Sequence, residues 1–487
     1  MARTEGRHMP LPRLATDGQL HRLHEAALKT LESAGFLVQD RVLADRLIAA
    51  GAKEGPEGQV LIPRGLVEEM LVPRLAEPET PPDGPPKASG ESRAGIGSQI
   101  AQFYLDPDPQ RRVPGSRALL AELVRFAHVW QEGSPVGPVL LCRDVPPPVE
   151  PMESVLTIAE HTDRVADAYV HSAEQVPYLA DMGAILRGDP SSFLSMCLFT
   201  VTPLRLDLRA GRLLRELLKL GAPVWIGTQP AAGASSPVTI AGTVVLAAAE
   251  ILAGWVASFV LDPAALPGAG ICSGVLDMKM ADVSYCAPEA MLQDVLCVEL
   301  FRERYGGRCR VAGGAGYTDA KWPGSQKAFE LAFEALVVYT YTGSGPGVGS
   351  GLLESGKTFS PVQFMLDDEF GRYLSRFAAG VEFGEEELAL DSILGVGLGL
   401  TRSHLQSDHT LSHWRSLYEP RLLDRGCWSG DDREARSEER LLQAAWREFQ
   451  AVRERYEPAS VEPSKLQAMR EVVERAWKEL CGTNRTR

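Results

Sequence analysis

The sequence predicts an α/β fold: a (β/α)8 TIM barrel with an N-terminal helical region and a C-terminal helical extension. Three observations lead there. Short apolar runs alternate with helical segments from residue 138 to residue 342. The runs are apolar throughout rather than at every second position, as in a parallel sheet covered on both faces. The 487 residues are about three times a ~150-residue domain, yet a barrel with insertions passes ~400 residues as one unit. An open doubly wound sheet is the other architecture that this alternation allows.

The elements follow in order. Residues 1–16 are polar and carry no apolar signal core. Residues 20–35 have apolar positions at helical spacing and stop at Gly35. Residues 60–63 read as a short strand and 64–71 as a helix. The Pro-, Gly-, Ser- and Glu-rich stretch 76–97 reads as a linker. The boundaries expected are 1–97 for the N-terminal region, 98–425 for the barrel and 426–487 for the extension. Strands are predicted at 138–142, 167–171, 194–201, 223–227, 257–261, 269–273, 308–312 and 335–342. Helices are predicted between them at 152–163, 174–187, 209–220, 237–254, 288–306 and 324–334, and beyond them at 363–379 and 384–394. Residues 240–261 carry one charge, Glu250, and approach the ~20-residue length of a membrane span. The Ser236–Pro237 start and the many small residues favour a buried helix that runs into the strand 257–261.

The 50 basic and 64 acidic side chains leave a net charge of −14. Such a surface argues against sequence-independent binding of nucleic acid, which depends on neutralising phosphates. Eight cysteines are scattered without a CxxC pair. This argues against a disulfide scaffold or zinc finger and suits a reducing cytoplasm. No bound metal is expected.

Several motifs offer chemistry. Residues 351–358, GLLESGKT, satisfy GxxxxGK[ST]. A phosphate loop needs a strand entering its first glycine and a helix starting at its lysine. Here a glycine-rich loop, 343–350, precedes the motif, and Pro361 with Ser360 as N-cap points to a later helix start. His404, His409 and His413 form HxxxxHxxxH, whose last two members share a helix face. Thr318-Asp319-Ala320-Lys321 follows the strand 308–312 at the end where barrels carry their chemistry. Gly313, Gly314 and Gly316 before it allow the backbone close to a ligand. Gly233-Ala-Ser235-Ser236-Pro-Val238 opens the long apolar helix, where free amides could hold an anion.

These segments together resemble the trimethylamine methyltransferase family, corrinoid-dependent enzymes with a TIM-barrel fold. The carrying segments are LHEAALKTLESAGFLV (23–38), VLIPRGLVEEML (60–71), GASSPVTIAGTVVLAAAEILAG (233–254), TDAKWPGSQKAFE (318–330), LLESGKTFSPVQFMLDDEF (352–370) and HLQSDHTLSHWR (404–415). The resemblance runs from Leu23 to about Ala476. It implies that Lys357 completes the phosphate-loop pattern by accident. Family members acting on trimethylamine carry pyrrolysine where this chain has Gly316. The chain therefore resembles the branch without pyrrolysine, whose characterised members demethylate quaternary amines such as glycine betaine. It also departs at 322–324, Trp-Pro-Gly, where relatives are more acidic.

The resemblance implies methyl transfer from a betaine-like amine to the Co(I) of a corrinoid. No Asp-x-His-x-x-Gly signature is present, so the corrinoid is expected on a separate partner protein. A homo-oligomer is a further family-based expectation. A quaternary ammonium leaves as a neutral amine without protonation, so the protein mainly positions the reactants. Aromatic faces suit the cation, with Tyr104, Tyr317, Trp322 and Phe359 as candidates. Arg205, Lys321 and Lys357 are candidates for a carboxylate anchor. Asp319, Glu354 and His409 are the expected catalytic residues. Gly316, Tyr317, Lys321, Trp322, Gln326, Glu330, Phe359, Ser235 and Ser236 are the expected substrate contacts. A barrel that binds a methylated amine or a corrinoid protein without turnover is the competing function.

Overall fold

The computed structural model describes residues 11–75, 94–107, 110–194, 196–312, 316–344, 348–428, 430 and 436–482. Most of the expected linker (76–93), Gly313, Gly314 and the middle of the loop 343–350 lie outside the described residues.

Eight extended segments lie side by side through seven parallel junctions. Thr358–Phe359 pairs with Phe103 and Tyr104. Ala101 pairs with Leu140, Val136 with Val165, and Ala168 with Leu194. Met196–Phe199 pairs with Val224–Thr228, which pairs with Gly268–Ile271, which pairs with Cys309–Val311. The segments follow chain order, except that the last, Thr358–Phe359, sits beside the first. Among the described residues no strand pair joins Cys309–Val311 to Thr358–Phe359. Two hydrogen bonds cross that gap, from Glu354 N–H to Ala320 O (2.9 Å) and from Ser355 N–H to Thr318 O (2.8 Å).

Each segment is followed by a helix: Arg117–Trp130, Glu150–Ala159, Val176–Arg187, Leu208–Leu220, Ile240–Leu261, Pro288–Arg304, Ser325–Thr342 and Pro361–Ala378. The alternation is as expected, but its count is shifted. The predicted strand 257–261 is the last turn and a half of the helix Ile240–Leu261. The predicted strand 335–342 is the second half of Ser325–Thr342. Both stretches are rich in β-branched and aromatic residues, yet Leu331, Ala335 and Val338 are buried at helical spacing, and packing overrides local preference. The two units gained are at the ends. Phe103–Pro107 forms a hairpin with Gln110–Pro114, and Thr358–Phe359 with Leu352–Leu353.

The long apolar helix begins at Ile240 with Thr239 at its N-cap, three residues after the expected Ser236–Pro237 start. In its most apolar window 78% of the helix is buried, so it is a core helix. Gly254 brings it onto the sheet: a Cβ there would lie 2.5 Å from Ile226. Asp17–Ser33 packs on its outside. The C-terminal helices Ser437–Glu454 and Pro463–Cys481 pack on the barrel helices, with Phe449 stacked on Phe126 at 4.1 Å and Trp477 Nε1 donating to Glu153 (2.7 Å). One hydrophobic core runs from Leu20 to Trp477.

Residues 379–417 form an arm off the end of Pro361–Ala378. Its helices Glu385–Leu388, Leu390–Val396 and Asp408–His413 bury no residue. Leu398, Leu400 and Leu405 are 91%, 85% and 85% exposed.

Candidate functional site

The strand Cys309–Val311 shows which way the sheet faces. Cys309 and Val311 are buried, with the Cys309 thiol against Cys297 of the preceding helix Pro288–Arg304. Arg310 therefore points to the inner face. Its register partners Gly270 and Gly227 point the same way. A Cβ on Gly227 would lie 2.7 Å, and one on Gly270 3.5 Å, from the Cys197 sulfur. Trp225 leans over Gly268, where a Cβ would come within 2.4 Å of its ring. Barrel interiors are usually filled by branched aliphatic side chains. Here glycines stand at 227, 268 and 270. The Arg310 guanidinium carbon sits 3.8 Å from the centre of the Trp225 ring.

Aromatic side chains gather at the C-terminal ends of the strands. The Tyr285 and Tyr317 ring centres are 6.4 Å apart. Burial, and then the facing Cys272, Tyr169, Cys197 and Tyr285, push the Tyr317 hydroxyl up to about 12. It remains a neutral phenol with its π faces available. His171 sits edge-on to Tyr169 at 4.8 Å. Its Nε2 is 3.7 Å from Glu150, whose other oxygen accepts from Cys142 N–H and the Ser154 hydroxyl.

The loops carrying this collar are fixed from behind. Fully buried Lys327 donates from Nζ to Gly316 O at 3.2 Å, next to Tyr317. Glu330 accepts from Ala320 N–H (3.1 Å) and the Gln326 amide (2.8 Å). Buried Glu250 accepts from Thr200 Oγ1 (2.8 Å), Thr202 Oγ1 (2.9 Å), Leu204 N–H (2.7 Å) and the Thr228 hydroxyl. It joins the loop after Met196–Phe199 to the next strand and to the long helix. Thus the single charge of the apolar helix is an acceptor hub.

The expected site residues divide into groups. Gly316, Tyr317, Asp319, Gln326 and Glu330 lie together, with Lys321 and half-exposed Trp322 at their outer edge. Glu354 adjoins them through its backbone bond to Ala320. Burial opposes its ionisation, but the Thr358 hydroxyl and Arg112 guanidinium, each at 2.5 Å, outweigh it and hold the carboxyl below its ordinary range. Phe359 and Tyr104 are buried and stack on each other at 6.4 Å, inside the core. Ser235 accepts from Ala231 N–H (3.0 Å), and Ser236 hydrogen-bonds Thr243 (2.9 Å), so both hydroxyls hold the turn before the helix. Arg205 and Lys357 are exposed.

His409 lies on the arm, apart from Asp319 and Glu354. Its ring stacks on His413 at 4.2 Å. His409 Nε2 meets Glu386 O (3.1 Å), and His413 Nε2 its carboxylate (3.3 Å). The two rings share a face as expected but serve a local clasp. Residues 351–358 form a hairpin turn with positive φ at Glu354, Ser355 and Gly356, and the next helix starts at Pro361. The phosphate-loop geometry is absent there. Cys286, Asp319 and Glu330 place ligand-type atoms within 4.8 Å of one another. However, both Glu330 oxygens already accept hydrogen bonds, and burial pushes the Cys286 thiol up to about 12, which suits a loop clip.

Sequence reasoning missed Tyr169, Tyr285 and Arg310. Arg310 had a signal: a charge between two apolar residues in a short strand marks an inward position. Tyr169 in Asp-Ala-Tyr-Val-His alternates in the same way. Tyr285 lies after the hairpin of Gly274–Asp277 and Asp282–Ser284 and carried no such sign.

The family profile described as trimethylamine methyltransferase (MTTB) matches residues 2–481. A trimethylamine methyltransferase MttB of Desulfitobacterium hafniense (strain DSM 10664 / DCB-2) is 25% identical over 472 residues, covering 94% of this chain and 93% of the relative. A glycine betaine methyltransferase of D. hafniense (strain Y51) is 26% identical over 483 residues, covering 95% and 97%. The crystal structure of the Methanosarcina barkeri monomethylamine methyltransferase (MtmB) superposes with a TM-score of 0.43 at 11% identity, covering 91% of this chain and 88% of that one. With the family profile spanning nearly every residue, the chain belongs to the trimethylamine methyltransferase family and is by that membership a methyltransferase.

Proposed function

We propose that the chain transfers a methyl group from a quaternary, betaine-like amine to the Co(I) of a separate corrinoid protein. The observation that carries this reading is the neutral collar of Tyr169, Tyr285 and Tyr317 at the strand ends. A quaternary ammonium is bound by aromatic faces, whereas an ionised carboxylate there would trap it as a salt. In the transfer the N–CH3 bond breaks, its electron pair stays on nitrogen, and a neutral amine leaves. The corrinoid supplies the nucleophile that takes the methyl. This chain's residues orient the cation with a methyl toward the mouth and exclude water. No group need donate a proton, so Glu354 acts by holding its loop rather than by acid catalysis, and Asp319 needs no acid role.

The eight strand–helix units support a closed barrel, the bonds from Glu354 and Ser355 bridging its last junction. We place the barrel at 98–425, the N-terminal region before it and the extension 426–487 after it. Eight free cysteines suit a cytoplasmic location. The exposed leucines of the arm suit a homo-oligomer. Apolar surface is richer in permanent assemblies of like subunits, while a corrinoid protein must come and go over a more polar surface. Phe329 and Phe377 on the barrel helices are exposed as well, at 79% and 72%.

The test mixes the purified protein with a reduced corrinoid protein and a panel of methylated amines. Appearance of the methyl-Co(III) absorption with a betaine supports the reading. Binding without that spectrum favours a barrel that binds the amine without turnover.

A further inference from the structure

We propose that Phe199 is a further aromatic face of this site, and that it makes the site select a positively charged trimethylammonium group over a neutral group of the same shape. This rests on the reading above and adds a specificity residue to the tyrosine collar.

Four observations converge. The first is direction. Along Met196–Phe199 the buried residues are Met196 and Leu198, so Cys197 and Phe199 point to the inner face. The glycine opposite agrees. A Cβ on Gly227, the register partner of Phe199, would lie 2.7 Å from the Cys197 sulfur and 2.9 Å from the Phe199 ring. The second is height. Cys197 lies within electrostatic reach of Tyr169 and Tyr317. Phe199 holds the next inner position, ~6.6 Å further toward the C-terminal end of the strand, where the collar gathers. The third is exposure. Phe199 is 39% exposed, and Val201, the inner position after it, 37%. Neither belongs to the hydrophobic core, and among the described residues no ring stacks on Phe199. The fourth is rigidity. Between the two, Thr200 turns outward. Its N–H donates to Gly227 O (2.8 Å) and its hydroxyl to buried Glu250 (2.8 Å), so the backbone that carries the ring is fixed from behind.

An apolar side chain inside a barrel ordinarily packs against others and is buried. A bare ring on the inner face, beside a cluster of tyrosines, lines a chamber instead. Phenylalanine suits one task there. Its π face attracts a cation within ~6 Å of the ring centre, and it offers no oxygen or N–H to hold water or an anion. A trimethylammonium group spreads its charge over three methyls, so it gains from aromatic faces on more than one side. Glycine at 227 leaves the ring its place, because any side chain there would strike it.

Calorimetric titration of the purified chain compares ligands in pairs of equal shape: glycine betaine with 3,3-dimethylbutanoate, and choline with 3,3-dimethylbutanol. Within each pair a quaternary carbon replaces the quaternary nitrogen. Wild type is expected to bind the nitrogen compound of at least one pair at least tenfold more tightly than its carbon analogue. Phe199→Leu keeps apolar bulk and loses the ring. It should lower that ratio about fivefold or more, while affinity for the carbon compound stays within about twofold. Phe199→Tyr should hold the ratio within about twofold of wild type. Gly227→Ala should lower it with Phe199 intact. A wild type without preference for the nitrogen compound, or an unchanged ratio in a folded Phe199→Leu, overturns the assignment and leaves the methyl-transfer reading standing. If Phe199→Leu does not fold, Phe199→Met decides by the same ratio. Should another methylated amine be the one demethylated, it and its carbon analogue form the pair. If wild type binds neither pair and yields methyl-Co(III) with no methylated amine, the functional reading falls, and this assignment with it.

Discussion

Lys327 Nζ donates to the carbonyl oxygen of Gly316 at 3.2 Å from a side chain that is fully buried. The cation acts on Glu334 and Asp367, favouring the ionised form of each carboxyl. One lysine thus fixes the residue before Tyr317 and lowers the cost of ionising two buried acids. Lys327→Met should cost roughly 3–5 kcal/mol, the usual penalty for breaking a buried charge pair. Urea unfolding measures it. Where the variant stays folded, a looser Tyr317 should also weaken binding of a quaternary amine. A variant as stable as wild type removes Lys327 from this role.

Glu334 gives a pH signature. Burial pushes its carboxyl up from 4.5 to about 8, against the opposing pull of Lys327. Asp294 moves in the same direction, to about 7, also through burial. The folded chain therefore binds these protons more tightly than the unfolded chain. Their contribution to stability is complete at low pH and is lost as pH rises through about 7 to 8. Melting temperature should fall as pH rises from about 4.5 to about 8 and level off above that, and fall less in Glu334→Gln. Equal slopes for the two proteins would falsify the assignment.

Gly356 sits at φ +84°, and a Cβ there would lie 2.5 Å from the Tyr317 ring. Gly356→Ala should cost about 1–2 kcal/mol through its left-handed backbone. It should also push the phenol out of the collar. In methyl-transfer kinetics KM for the amine should rise several-fold more than kcat falls. A change confined to kcat would place Tyr317 outside the cation's binding site.

The arm predicts assembly. Leu398 and Leu405 are almost fully exposed on a segment that buries no helical residue. Replacing both with aspartate should reduce the mass measured by light scattering to that of a single chain. The chain's own fold should persist, because the arm adds nothing to the core. Wild type eluting as a monomer would refute the oligomer.

Local pattern was enough for the middle of the barrel. The segments 194–201, 223–227, 269–273 and 308–312 are apolar runs bounded by helices, and each coincides with a strand to within two residues at either end. The predicted Asp319–Glu330 cluster also held together, because its residues are close in the chain. Pattern failed where tertiary packing outranked propensity: 257–261 and 335–342 look like strands, yet each continues a buried helix. The end strands were hidden because Phe103–Pro107 and Thr358–Phe359 are short and gain their hydrogen bonds from each other across the chain.

The sequence by itself determined the βα alternation, the family and most of the loop that carries Tyr317. The inward direction of Arg310, the meeting of Tyr285 with Tyr317 and the distance of His409 from both were decided only by the tertiary structure. Those relationships depend on strand register and sheet curvature. Both are set by hydrogen bonds between residues far apart in the chain, and no local window of sequence contains them.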